Sequence, residues 1–377
     1  MKTIGKSNTS KNYSTTLILI PILLLIHLAC PDPPENKPQL ADCPVGQSPC
    51  ADDSTVCCWD TTSHNFVWEV DTLGGPGSYL RDVTIIDENN IWVVGNIETD
   101  SGEYNAAHWD GNEWEMMGIY SNTLDLYSIQ YFADNDIWVT SFGLPIHWDG
   151  NEWTLFHIQN MGLNVSAGFD SWGTSSSNMY FVGYEGGIVH YDGDSFQQIE
   201  SGTEVDLLDI WGVSETEIWV SGKETGGSVV LYYNGSTWNT FYEWDTNLDE
   251  YTTPTDNILL TISSSWASLS NDSLVVVGGW GVFHVSKETK STRWAFERRW
   301  DFDDSLMGYP LKVRGNAWNN IFVCGTRNTI LHYNGNSWQH FSEFYDEWGV
   351  WLKSICLYDD IVIIVGGNLV VRGINTR

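Results

Sequence analysis

From Phe66 onward, apolar and polar positions alternate in short runs broken by turn dipeptides, chiefly Asp-Gly and Asn-Gly. Period-two alternation predicts half-buried strands, and the breaks predict tight reversals between them. Laid side by side, the runs show one recurring unit. A strand carrying Ile-Trp-Val, often with a Gly, is followed by a second strand, an Asp-Gly or Asn-Gly turn, and an aromatic residue three positions after the turn glycine. The copies are Ile91-Trp92-Val93-Val94-Gly95 with His108-Trp109-Asp110-Gly111-Asn112-Glu113-Trp114, and Ile137-Trp138-Val139 with His147-Trp148-Asp149-Gly150-Asn151-Glu152-Trp153. Met179-Tyr180-Phe181-Val182-Gly183 leads to His190-Tyr191-Asp192-Gly193, Ile218-Trp219-Val220 to Tyr232-Tyr233-Asn234-Gly235, and Ile321-Phe322-Val323 to His332-Tyr333-Asn334-Gly335. A repeat of this length, made of short strands, predicts the blades of a β-propeller.

Two copies are irregular. The fifth keeps Val275-Val276-Val277-Gly278 and Phe283-His284-Val285 but has no Asp-Gly before Trp294. The seventh ends after Leu369-Val370-Val371, one strand short, while Phe66-Val67-Trp68-Glu69-Val70 has the alternation of a fourth strand with no first three before it. Pairing the two removes both exposed edges. The expected fold is therefore all-β: a single propeller of about seven four-stranded blades, closed by an N-terminal strand entering the last blade. In each turn the Asp-Gly or Asn-Gly pair is expected to form a type I′ reversal. The rings of Trp92, Trp138 and Trp219 should fill the spaces between neighbouring sheets, which accounts for much of the content of 21 tryptophans without a ligand.

Residues 31–64 are rich in Pro, Asp and Ser and read as a stalk. Before them, Lys2, Lys6 and Lys11 precede the apolar run Leu17 to Ile26, which ends at Leu28-Ala29-Cys30. The run is interrupted by Pro21 and is too short to span a bilayer, so residues 1–29 read as a secretory signal cleaved before a lipidated Cys30; His27 stands where such signals usually carry Leu. The organisation expected is signal 1–29, lipid-anchored stalk 30–64 and propeller 65–377, extracytoplasmic and held to a bacterial membrane only through its lipid, with no cofactor required and a monomer sufficient.

The pattern D-I-W-x-V-G followed by H-Y-D-G-x-x-W, as in Asp136-Ile137-Trp138 and His190-Tyr191-Asp192-Gly193, resembles the propeller repeats of a group of mostly uncharacterised bacterial surface lipoproteins. The resemblance implies a fold and an envelope location rather than an activity. The turns are also somewhat similar to the Asp-box of sialidase-type propellers, but here Asp110 and Gly111 are adjacent where that motif separates them.

Formal charge is −32, and losing the three leader lysines makes the remainder more acidic still. Such a surface repels phosphate backbones, so nucleic acid is not an expected partner. Six cysteines remain beside Cys30. Cys43, Cys50, Cys57 and Cys58 suit a small disulfide knot in the stalk, and Cys324 and Cys356, on strands of adjacent blades, are either bridged or two buried thiols. The chain contains no G-x-S-x-G, no H-E-x-x-H, no phosphate loop and no complete calcium loop. Asp301, Asp303 and Asp304 offer carboxylates to Ca²⁺, with a solvated acidic loop as the alternative. His108, His147, His190 and His332 occupy one repeat position, so they should be spread around the disc rather than share an ion.

Loops that depart from the repeat are the better candidates for function, because blade packing does not explain them. Two connections depart from it, 242–257 with Trp244 and 343–348 with Trp348, and on the same predicted face the loops between second and third strands carry Tyr184, Glu185, Trp280 and Arg327; together they make a ligand-binding set suited to a glycan or a protein partner. A non-enzymatic binding or scaffold module is one reading. A glycan-active enzyme using Glu185, Glu343 and Glu347 is the other, and it requires two carboxyls at glycosidase separation, one of them in an apolar setting.

Overall fold

The computed structural model describes residues 61–376 except 164, 225–226, 246–260, 269–271, 280, 298–307, 345 and 347–348, and except the side chains of 244–245, 294 and 297. It also describes the backbone of two short antiparallel strands, Gln47–Pro49 and Cys57–Trp59. The leader, Cys30, Cys43, Cys50, the side chains of Cys57 and Cys58, and the Asp301–Asp304 loop lie outside the described residues.

Seven four-stranded antiparallel sheets form a ring, each a simple meander. Their first strands are Tyr79–Asp87, Ile129–Ala133, Asp170–Ser175, Leu207–Ser214, Ile262–Ala267, Pro310–Ala317 and Ser354–Tyr358, in blades 1 to 7. These strands are neighbours of one another around the ring and line its axis. Blade 7 takes three strands from the end of the chain and its fourth from Phe66–Thr72, which pairs with Leu369–Asn375 in continuous register from Phe66↔Asn375 to Thr72↔Leu369. The closing expected from the sequence is thus the one formed. Trp68 seals it, packing edge-on against Phe341 at 5.0 Å and Phe344 at 5.1 Å.

The core lies between blades rather than inside any one of them. Trp138 and Trp219 are essentially inaccessible and pack against the next blade, Trp138 with Phe181 and Val189, Trp219 with Trp266 and Leu274. The repeated histidine is a clip within its own blade. His147 stacks on Trp138 at 4.3 Å while its Nε2 meets Asp136 at 2.8 Å; His190 stacks on Tyr180 and meets Asn178, and His332 stacks on Phe322 and meets Asn320. The Asp or Asn before Ile-Trp and the His before the turn are therefore one interaction written in two places. Each pair holds the start of the second strand against the end of the third.

One expectation is corrected and one open alternative is decided. In the turns only the glycine has positive φ (93° at Gly111, 90° at Gly150), whereas a type I′ reversal needs two such residues. The preceding carboxylate replaces the second: Asp110 Oδ1 accepts the N–H groups of Asn112 and Glu113 at 2.8 and 2.9 Å. Secondly, Cys324 is a free thiol, so no bridge joins it to Cys356. The strand alternation explains this, because Cys324 faces the layer between blades 6 and 7 while Cys356 faces the layer between blades 7 and 1. Burial pushes the Cys324 thiol up to about 12.

Candidate functional site

The axis of the ring is built from one register position. Near the start of the first strand, five blades carry an aliphatic residue, one variable residue and then Asp or Ser: Leu80-Arg81-Asp82, Leu126-Tyr127-Ser128, Leu207-Leu208-Asp209, Ile262-Ser263-Ser264 and Leu352-Lys353-Ser354. Asp170 and Lys312 hold the third position in blades 3 and 6. A β-bulge precedes it in blades 1, 4, 5 and 6, turning two consecutive side chains toward the axis. The third residue then accepts a backbone N–H from the next blade: Asp82 from Ile129 at 2.8 Å, Asp170 from Ile210 at 3.4 Å, Asp209 from Ser265 at 3.1 Å and Ser264 from Val313 at 3.2 Å. Ser128 meets the Ser171 hydroxyl at 2.8 Å instead, and Ser354 donates to Asp82 at 2.6 Å. These contacts stitch each blade to its neighbour around most of the ring.

Within this ring sits a buried ionic cluster. Arg314 Nη2 meets Asp209 Oδ1 at 2.6 Å, and Lys312 Nζ meets Asp209 at 2.5 Å and Asp170 at 2.8 Å. Burial alone would raise the Asp209 carboxyl, but Arg314 and Lys312 hold it well below the ordinary range. Asp170 goes the other way. Burial lifts it to about 6, with Lys312 opposing and the nearby Asp209 and Asp82 charges reinforcing the rise. Asp82 is raised by burial as well. Burial lowers Lys312 and Arg314 lowers it further, yet the three aspartates outweigh both and leave it raised. The cluster holds blades 3, 4 and 6 together across the axis, and its charges are almost wholly occupied with one another.

The variable position just before it forms the mouth of the channel, on the face where the inter-blade connections emerge. Around the ring it reads Arg81, Tyr127, Phe169, Leu208, Ser263, Leu311 and Lys353. The Arg81 guanidinium lies 4.2 Å from the Tyr127 ring centroid and 3.6 Å from Asp125, and its Nε, buried, has no hydrogen-bond partner. Lys353 Nζ lies 4.9 Å over the Trp351 ring and meets no carboxylate among the described residues. Lys223, at the end of a second strand, donates to Ser263 at 2.7 Å. Burial and the Arg81 charge lower Lys353; burial and the Lys353 charge lower Lys223. In a strongly acidic chain, three cations thus share one opening, and among the described residues a single carboxylate, Asp125, is paired to them.

Of the residues singled out from the sequence, Tyr184 reaches this mouth: it is 46% exposed and its ring lies 4.2 Å from Phe169. Glu185 follows it at φ +51°, exposed, its N–H bonded to Asp206. Arg327 shares the face, at φ +58°, but sits between blades 6 and 7, where its carbonyl accepts the Asp346 N–H. A cleft of about 370 Å³ there has Glu343 and Asp346 beside Ile330, Leu352 and Val371. Glu185 and Glu343 are both exposed and belong to blade 3 and the 6–7 connection, so they do not form one pair; only Glu343 has apolar neighbours, those of the cleft. Trp280, Trp348, Glu347 and the side chain of Trp244 lie outside the described residues.

Arg81, Tyr127, Phe169 and Lys353 escaped the sequence reading because they lie inside the blade repeat, which was read as structure alone. The signal was present: aligned first strands place a different residue at this one position in nearly every copy, while the residues around it repeat.

No protein-family model matches the chain, and no curated protein matches it. Among solved structures the propeller is similar to YCF48 bound to D1 peptide, at 15% identity over 84% of this chain and 98% of that one, with a TM-score of 0.61. It is similar to the WD40 β-propeller domain of Doa1, at 12% identity over 83% and 98%, TM-score 0.58. A third is a catalytically inactive virginiamycin B lyase from Staphylococcus aureus with quinupristin, at 11% identity over 82% and 99%, TM-score 0.55. At these identities the likeness is one of fold.

Proposed function

We propose that this chain is a bacterial envelope lipoprotein whose propeller is a non-enzymatic binding or scaffold module, presenting the mouth of its channel to a ligand outside the cytoplasm. The observation that carries the binding role is the grouping of Arg81, Lys223 and Lys353 beside exposed aromatic rings. Cations held out of bulk water with few acidic partners gain most when a partner arrives. The leader pattern ending at Leu28-Ala29-Cys30 and the resemblance to surface lipoproteins support the anchored location. That a similar propeller has been solved with a peptide bound is consistent with a protein partner.

A thermal-shift screen of the purified protein against envelope glycans, peptides, Ca²⁺ and EDTA tests the binding role. A ligand at a hundred times its Kd adds about 2.7 kcal/mol, well within detection. The reading stands if a shift disappears in Lys353→Met, and falls if every shift survives that substitution.

A further inference from the structure

We infer that the channel mouth captures the free C-terminal carboxylate of a peptide whose last side chain is apolar or aromatic, received between Arg81 and Lys353. The inference deepens the binding role proposed above and rests on it.

Geometry supplies the first argument. Arg81 and Lys353 hold the same register position in blades 1 and 7, which adjoin through the ring closure, so two cationic heads flank one point on the rim. Each has donor capacity left over. Among the described residues the terminal nitrogens of Arg81 make one long carboxylate contact, Nη2 to Asp125, and Lys353 Nζ meets the face of Trp351 and no carboxylate. A carboxylate has two oxygens and accepts from both kinds of donor at once. Of the deeper aspartates, Asp170 and Asp209 are engaged with Lys312 and Arg314, and Asp82 accepts from the Ser354 hydroxyl and the Ile129 N–H.

Charge and surface character then choose among anions. A chain of formal charge −32 repels a polyanion over most of its surface. Nucleic acid, a polyuronate and a multiply phosphorylated chain each carry charge all along their length, whereas a peptide C-terminus brings one charge to one place. The rim beside the cations is apolar: Phe142 is 58% exposed, Trp351 51% and Tyr184 46%, with Tyr127 and Phe169 between them. Phe142 is held at φ +42°, a conformation a bulky side chain adopts at a cost. Aromatic rings displayed around a charge-binding point suit a terminal residue that buries its side chain while its carboxylate is paired.

The test uses fluorescein-labelled pentapeptides of sequence Ala-Ala-Ala-Ala-Phe, one with a free C-terminus and one amidated, read by anisotropy against the purified protein, with trigalacturonate as competitor. The free acid is expected to bind and the amide to bind at least about tenfold more weakly. Lys353→Met and Arg81→Met are each expected to cost the acid about tenfold and to leave the amide nearly unchanged, and Lys353→Arg to restore binding. Circular dichroism melts of the variants establish that they are folded. Equal binding of acid and amide, no binding of either, or acid binding indifferent to both substitutions overturns the inference. Binding of trigalacturonate that is lost in Lys353→Met, with no peptide binding, overturns it too but leaves the binding role of the mouth intact. If neither probe binds and no screened compound gives a Lys353-dependent shift, the broader role fails with it.

Discussion

Replacing Asp209 with asparagine tests the axial cluster, because the two aspartates that contact its cations are expected to respond unequally. Asp209 is about 1% exposed and receives Arg314, Lys312, the Ser264 hydroxyl at 2.8 Å and the Ser265 N–H. Neutralising it leaves Arg314 and Lys312 buried with only Asp170 in contact, at 3.7 and 2.8 Å. Breaking a buried pair from one side costs about 3–5 kcal/mol. At roughly 2 °C per kcal/mol for a domain of this size, that lowers Tm by roughly 6–10 °C. Asp170→Asn should cost less than about 1 kcal/mol at pH 7.5, since burial already disfavours the ionised Asp170 carboxyl and lifts it to about 6. The sign follows from linkage. A carboxyl raised in the folded state contributes stability that is complete below its unfolded value of 3.8 and is lost as pH rises through about 6. Wild type therefore gains from Asp170 protonation between pH 7.5 and 4.5, the variant does not, and Asp170→Asn should look worse relative to wild type at the lower pH. Calorimetric or circular dichroism melts of the three proteins at both pH values decide it. Equal losses for the two variants at pH 7.5, or an Asp209→Asn penalty under about 1 kcal/mol, would refute this account of the cluster.

Other consequences are open to simpler tests. Burial lowers the His332 ring to about 3 and the His284 ring to about 4, so both fold neutral; the stability they contribute is complete above pH 6.5 and fades as pH falls toward those values. His332→Gln should flatten the slope of Tm between pH 6.5 and 4, and an unchanged slope counts against the assignment. Trp68→Ala should cost about 3–5 kcal/mol by opening the aromatic seal on blade 7, measurable by urea titration. A chain beginning at Leu73 leaves the Leu369–Asn375 edge uncovered and should self-associate in light scattering, whereas a stable monomer would show that the closing strand is dispensable. Cys30→Ser should abolish incorporation of radiolabelled palmitate in a lipoprotein-processing bacterium; retained label would place the acyl group elsewhere.

The ring was legible because each blade restates the same physical demands. Asp-Gly turns, the Ile-Trp-Val strand and the orphan Phe66–Thr72 strand leave few other ways to remove the sheet edges. The turn type was not legible: Asp110 supplies through its carboxylate what a second positive-φ residue would supply through backbone, and dipeptide identity does not distinguish the two. The pairing of Cys324 with Cys356 was left open by the sequence for a related reason. Adjacent blades bring Cys324 and Cys356 to neighbouring sheets, but the parity of each strand decides which side the sulfur faces. Of the site, Tyr184 was found because loops between second and third strands are expected on the channel face. Arg81 and Lys353 were not, because a cation at the start of a blade repeat reads as solvent-facing until closure of the ring is known to set that position around the axis; only at Arg81 does a bulge add to this.

The clasp between Phe66–Thr72 and Leu369–Asn375 also has a consequence in time. Glu69 and its ion-pair partner Arg372 are 303 positions apart, so the first strand of the propeller to be synthesised must wait for its Leu369–Asn375 partner. Six blades can assemble by local hairpins in the meantime, each closing short loops, but the seventh cannot form until almost every residue has been made. A prematurely terminated chain would then have most of its hydrophobic layers and no closure. It would present open strand edges, the surfaces that pair with other chains, so closure of the ring also sets how long each newly made chain stays prone to aggregation.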